Sequence, residues 1–398
     1  MRTLYSILLT LLAPVMLLRS MRKYAGDHWG AAQRLGWGIP RVRQPIWIHA
    51  ASVGESRAIA PLAQQLFQTH SVLITTTTPT GRDQVLALAP DCTHAFLPYD
   101  LPWIWAFWLR RLQPRALVLV ETELWPNLIA ACARRSLPVM LLNARMSAKS
   151  EAGYAKLSRL TRPMMRRVQV LAQTQEHASA FERLGAPNVQ VMGNLKYDLP
   201  DLAASQTDQA REQLGAGIWW VAASTHEGEE AACLAAFKAL APSHPHLRLL
   251  IVPRHPQRFA AVAQLIQQHG YPVVRLSDQT AGEAPVVLGD AMGQLRAWLS
   301  QAAVCFVGGT LIKHGGQNPI EAAAAGAVIV AGPSRYNFPQ VFKTLESGAL
   351  VDADESGLAV AVEQALGLDG GVNQGLMDQH RGAMARAQSA IERVIERV

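Results

Sequence analysis

The chain has 398 residues, of which 49% are hydrophobic and 17% charged, with a formal net charge of +7. That length is more than one core of ordinary size fills, so two α/β domains are expected, and the composition excludes a disordered chain. The basic balance favours anionic partners (phosphates, nucleic acid or an acidic lipid surface) without choosing among them.

The first predicted element is apolar. Residues 3–18 carry no charge, and Arg19, Arg22 and Lys23 follow them. A signal peptide places its charge first and ends at a small-residue cleavage site; here only Arg2 precedes the run and no such site is evident. The run is shorter than the roughly 20 residues that span a bilayer comfortably, and Pro14 interrupts it. Basic residues on its C-terminal side would hold the rest of the chain in the cytoplasm. Residues 1–24 therefore read as a membrane anchor, spanning or interfacial, with a buried first helix as the alternative.

Beyond it, short apolar runs alternate with helical stretches. They fall at 45–49, 72–76, 95–97, 116–120, 139–142, 168–172 and 189–192, then at 219–222, 247–252, 286–288, 304–307, 328–330 and 349–351. Runs of this length separated by helices indicate parallel strands buried on both faces. Two such series predict two Rossmann-like, doubly wound lobes, residues 25–200 and 201–398, with the last helix packing back on the first lobe. The polar stretch 197–208 reads as the linker. Ligands of open parallel sheets bind beyond the carboxyl ends of the strands. The residues after each run are polar in both lobes, which predicts a cleft between them. Cys92, Cys132, Cys233 and Cys305 form no C-x-x-C pair, so a reduced, cytosolic chain without a cysteine metal site is expected.

Several segments could carry chemistry. Residues 308–326 read GGTLIKHGGQNPIEAAAAG. Glycines let backbone N–H groups approach a phosphate, and Asn318 and Pro319 suit the N-cap and first turn of a helix whose N-terminus favours anions. Glu321 could accept ribose hydroxyls. The alternative is an ordinary tight turn, and no G-x-G-x-x-G is present. Glu55, after a strand and a glycine, is either a general base with a raised pKa or a helix-start charge. Glu121 and Glu123 flank Thr122 at a strand end. They share a face if the chain stays extended and diverge if a helix starts at once. Lys196, on another strand end, is a candidate partner, and a structural ion pair is the alternative reading. Arg254 and His255 could hold a phosphate or carboxylate. His226 to Glu230 lacks the second histidine of a zincin, and no metal site is expected. Trp103, Trp105 and Trp108 beside Arg110 and Arg111, and the basic residues Lys156, Arg159, Arg162, Arg166 and Arg167, suit a membrane interface or a solvated helix face.

The segments ASVGES, TTTTPTGRDQV, LPYDLP, ETELWPN, NARMSAKS, GNLKYD, STHEGEE, PRHPQRF, GDAMGQL and GGTLIKHGGQNPIEAA occur in this order. Together they resemble the 3-deoxy-D-manno-octulosonic acid (Kdo) transferases of lipopolysaccharide synthesis, over nearly the whole chain. The resemblance implies a GT-B fold, and an inverting, metal-independent transfer of Kdo from CMP-Kdo to a lipid A precursor, lipid IVA. It also implies attachment to the cytoplasmic face of the inner membrane, with no cofactor and no nucleic acid partner. It makes Glu55 the catalytic base and assigns Glu121 and Lys196 to transition-state stabilisation. It places CMP contacts on Pro253 and Arg254, on Met292, Gly293 and Gln294, and on Asn318, Pro319, Ile320 and Glu321. Gln294 and Gln317 depart from the family's Glu and His, changes that spare a backbone contact but not the side-chain chemistry; Ile320 for Leu is conservative. Two other readings stay open: a GT-B transferase or epimerase using another nucleotide sugar, and a non-enzymatic, membrane-bound nucleotide sensor.

Overall fold

The computed structural model describes residues 1–23 and 29–397. The expected boundary between anchor and first lobe at 24/25, and Val398, lie outside the described residues. The chain folds as two units: Met1–Asp198 together with Arg381–Val398, and Leu199–His380.

Among the described residues unit 1 holds seven strands: β1 (Ile46–His49), β2 (Val72–Thr76), β3 (Thr93–Phe96), β4 (Ala116–Val120), β5 (Val139–Ala144), β6 (Val168–Ala172) and β7 (Val189–Val191). They pair in the order β3-β2-β1-β4-β5-β6-β7, and every pairing is parallel. Successive side chains of a strand point to opposite faces. Trp47 accordingly joins one core, with Leu117 and Leu141. Ile46 and Ile48 join the other, with Val118 and Met140. The C-terminal helix Ala383–Ile395 covers the second face through Ala387, Ile391 and Ile395.

Unit 2 holds β8 (Ile218–Thr225), β9 (Leu247–Pro253), β10 (Val286–Leu288), β11 (Ala302–Val307), β12 (Val328–Ala331) and β13 (Leu350–Asp352). Their order is β10-β9-β8-β11-β12-β13, again all parallel. Each apolar run read from the sequence is a strand, with ends displaced by at most three residues. In both units the strand order reverses beside the first strand, between β1 and β4 and between β8 and β11. Such switch points open a crevice at the carboxyl ends.

Four local expectations need correction. Residues 197–208 contain the unit boundary, but their second half begins the helix Ala204–Leu214. Pro14 does not interrupt the first helix, which runs over Arg2–Lys23. The helix has 22 residues and an 18-residue stretch of mean hydropathy 1.7, long and apolar enough to cross a membrane. Trp105 and Trp108 are not interfacial. They are fully buried against Trp47, with ring centroids 6.0 and 5.8 Å away. Trp103 alone of the three is exposed, beside Phe107, Arg110 and Arg111 on the outer face of the helix Pro102–Leu112. The basic run 156–167 is split by a break at Leu157, so Lys156 ends one helix while Arg159 and Arg162 lie on the next, Ser158–Met165.

The first helix lies on unit 1. Its Tyr5 hydroxyl donates to Asp100 (3.1 Å) and its Ser6 hydroxyl to Asn127 (2.9 Å). Leu9, Ala13, Met16 and Leu17 pack on the core, while Leu4, Leu8, Leu11, Val15 and Leu18 are exposed.

Candidate active site

In unit 1 the segments that follow β1 and β4, at the switch point, hold the candidate residues Glu55, Glu121 and Glu123. Ser52 caps the helix Val53–Phe67 and accepts the Glu55 backbone N–H at 3.3 Å. The Glu55 carboxylate reaches back to accept the Ser52 hydroxyl at 2.8 Å and the Ala51 N–H at 2.7 Å. The arrangement is reciprocal as in a capping box, but the backbone donor is Ala51, one residue before the cap. The helix-start reading of Glu55 is therefore realised, and it fixes the carboxylate in one rotamer. Burial raises the Glu55 pKa above the ordinary carboxylate value, against the lowering effect of those two bonds, and the negative Glu121 and Glu123 raise it further.

Glu121 follows β4 with φ +58°, the left-handed region a glutamate rarely adopts. The chain thus neither stays extended nor enters a helix at once; it turns, and the next helix begins at Pro126. The turn separates the two carboxylates. Glu121 lies 3.7 Å from Lys196 Nζ, whereas Glu123 lies 3.5 Å from His49 Nε2. Asn143, also at positive φ (+53°), accepts the Leu195 N–H at 3.1 Å and holds the turn that carries Lys196. Non-glycine residues in this region cost about 1–3 kcal/mol each and gather at functional sites.

In unit 2, Glu229 is buried and accepts three backbone N–H groups: His226 at 2.9 Å, Gly309 at 2.7 Å and Leu311 at 3.1 Å. It thereby ties the loop after β8 to the loop after β11. The glycine donors proposed for a phosphate are all taken inside the protein. Gly308 donates to the Ala223 carbonyl, Gly309 to Glu229, Gly315 to Ser334 and Gly316 to the Gly309 carbonyl. The glycines instead permit close approach: a Cβ at Gly308 would stand 2.2 Å from the Ser224 carbonyl oxygen. The following helix is short, Ile320–Ala324. Pro319 rather than Asn318 stands at its N-cap, with Asn318 Oδ1 accepting the Ile320 N–H at 3.1 Å.

Pro253 ends β9, and the exposed Arg254 follows it. Among the described residues the Arg254 guanidinium has no hydrogen bond or ion pair. The second arginine of the same segment, Arg258, is bound by both oxygens of the buried Glu230. His226, His255 and His314 stand together, the His226 ring 4.1 Å from that of His314, and Gln317 Nε2 lies 3.0 Å from His226 Nε2. Burial first, then the neighbouring histidines, Arg258 and Arg254, lowers the His226 pKa to about 4. Met292 is exposed, Gly293 has φ +81° and Gln294 caps the helix Leu295–Leu299. Among the described residues no group of three or more His, Cys, Asp or Glu converges as a metal site.

Sequence reasoning missed His49, Glu229 and Glu230. The available signal was an ionisable residue at the edge of an apolar run: IWIH in β1, and Glu-Glu opening the helix Glu229–Leu240.

A family model described as "3-Deoxy-D-manno-octulosonic-acid transferase (kdotransferase)" matches residues 29–199. The chain is 36% identical to a 3-deoxy-D-manno-octulosonic acid transferase of Haemophilus influenzae, with 89% of this chain and 88% of that one covered. It is 34% identical to the enzyme of the same name from Bordetella pertussis, covering 98% and 99%. Among solved structures, a UDP-GlcNAc 2-epimerase from Neisseria meningitidis superposes with a TM-score of 0.60 over 89% of this chain and all of that one. At 15% identity that likeness concerns the fold alone, and the two parallel-sheet units are of the GT-B class.

Proposed function

Because the chain belongs to the 3-deoxy-D-manno-octulosonic acid transferase family, we propose that it transfers Kdo from CMP-Kdo to a lipid A precursor, lipid IVA, in lipopolysaccharide core synthesis. The observation that carries the reading is Glu55: a carboxylate fixed by its cap, at the switch point of unit 1, with its pKa raised by burial. Glu55 accepts the proton of a glucosamine 6-hydroxyl while that oxygen forms a bond to the anomeric carbon of Kdo. The bond from the same carbon to the phosphate oxygen of CMP breaks on the opposite face, so configuration inverts. Lys196, close to Glu121, offsets negative charge as it develops.

Unit 2 supplies the donor contacts. The glycine N–H groups are bonded internally, so the cationic contribution to the departing monophosphate falls on Arg254. Pro253, Met292, Gly293, Gln294 and the segment Asn318, Pro319, Ile320 and Glu321 take the nucleotide, and no divalent ion is required. The exposed apolar face of the first helix meets the cytoplasmic surface of the inner membrane, where the acceptor resides.

Replacing Glu55 tests this directly. Glu55→Gln keeps the cap's shape and removes the base, so transfer should fall by about 10²–10⁴-fold while CMP binding, measured by calorimetry, is unchanged. A variant that retains most of its activity refutes the assignment.

A further inference from the structure

We propose that His49 and Glu123 share one proton and act as a net-neutral positioning pair that keeps Glu55 ionised. The inference rests on the reading of Glu55 as base.

The geometry fixes the imidazole. His49 is the last residue of β1 and is fully buried. Its Nδ1 lies 3.0 Å from the Thr75 carbonyl oxygen and 3.1 Å from Thr75 Oγ1. A carbonyl oxygen only accepts, so Nδ1 carries hydrogen. Thr75 Oγ1 already receives the Trp47 indole N–H at 2.9 Å and is directed at the Ile48 carbonyl. Among the described residues Nε2 is buried without a hydrogen bond, and Glu123 Oε2 is 3.5 Å from it. The Trp125 ring stands edge-on at 6.1 Å. A bare Nε2 lone pair, cut off from water and facing the half-buried Glu123 carboxylate, is both unsolvated and repelled. One proton between them removes both costs. Wherever it sits, the pair as a whole is neutral.

This matters because the Ala51 N–H that holds Glu55 follows closely on His49, and Glu121 and Glu123 follow β4, the strand beside β1. Burial, and then the charges of Glu121 and Glu123, raise the Glu55 pKa; burial, and then Glu123, raise that of Tyr154. Lys196 neutralises Glu121, and His49 neutralises Glu123. Among the described residues the Glu55 carboxylate holds only the Ser52 hydroxyl and the Ala51 N–H. Its pKa is already raised by burial, so an uncompensated anion at Glu123 would favour its protonated, inactive form. The net negative charge of the rim is thus confined to the group that must accept a proton.

The pH dependence of kcat/KM in a double-mutant cycle tests the pair. His49→Gln leaves Glu123 as a bare anion and moves the acid limb upward by roughly one pH unit. Adding Glu123→Gln to it returns the limb towards the wild-type position. If His49 were only structural, activity would fall equally at all pH values and the second substitution would rescue nothing; that result overturns the proposal. A second measurement does not depend on catalysis. Imidazole ¹⁵N NMR should show the His49 Nε2 resonance of the wild type moving to that of an unprotonated, unbonded nitrogen in Glu123→Gln. An unmoved resonance refutes the shared proton. A moved resonance alongside an active Glu55→Gln would refute the base and leave the pair standing.

Discussion

At the scale of single residues, the cap on Glu55 is compatible with its proposed role as base. The cap holds the carboxylate through the Ser52 hydroxyl and the Ala51 N–H, each of which occupies one lone pair and leaves another. Its raised pKa has a sign that can be measured. A base must be deprotonated, so activity is lost on acidification through the folded-state pKa, and a raised pKa moves that loss to higher pH. The acid limb of kcat/KM should therefore lie above the value of about 4.3 for a free glutamate; a limb at or below it would contradict the environment described. Glu229 carries a different prediction. Its removal leaves three backbone donors unpaired, those of His226 and Gly309 buried and that of Leu311 partly so, at about 1–3 kcal/mol for each buried group, so Glu229→Ala should lower the thermal midpoint sharply and weaken CMP binding. An unchanged midpoint would show that the two loops are held by other means. Lys196 was legible as a candidate partner and Glu55 as a helix-start charge; which glutamate Lys196 meets, the His49 contact and the Glu229 donors were not. ETELWPN presents two similar glutamates, and only the left-handed turn at Glu121 sends one to Lys196 and the other to His49.

At the scale of elements, the two ends of the chain cover opposite faces of the unit 1 sheet. The first helix leans on one face through Leu9, Ala13, Met16 and Leu17, and the C-terminal helix seals the other. Ile391 is fully buried there, so Ile391→Ala should cost about 3 kcal/mol by leaving a cavity, read as a lower urea midpoint. A cost below half of that would mean the helix is not part of the unit 1 core. The outward face of the first helix is apolar, and Leu8 and Leu11 touch solvent in the structure. Leu8→Glu with Leu11→Glu should release the protein from anionic vesicles in a flotation assay without changing its thermal midpoint. Flotation equal to that of the wild type would remove this helix from the membrane contact. The sequence showed that this helix exists and is apolar. It did not show that Tyr5 and Ser6 fasten it to Asp100 and Asn127, because those partners lie 95 and 121 residues away.

At the scale of the molecule, two parallel sheets were readable because buried parallel strands need continuous apolar runs, and such runs are visible in one sequence. The switch points were not readable, since strand order is a property of the assembled sheet. Yet they explain why the polar segments after β1, β4, β8 and β11 matter more than those elsewhere. The glycine-rich segment misled for a related reason: glycines allow close backbone approach, but the sequence does not say to what. Here they admit neighbouring loops, and their N–H groups bind Glu229, Ser334 and main-chain carbonyls. The account as a whole stands on the identity of the donor and acceptor. Incubating the protein with CMP-Kdo and lipid IVA, and reading the mass of the lipid product, tests both together. The account predicts a product heavier by one or more Kdo residues, CMP released in equal number, and neither in Glu55→Gln. An unmodified lipid with CMP-Kdo, or sugar transferred from a UDP-sugar instead, would contradict it.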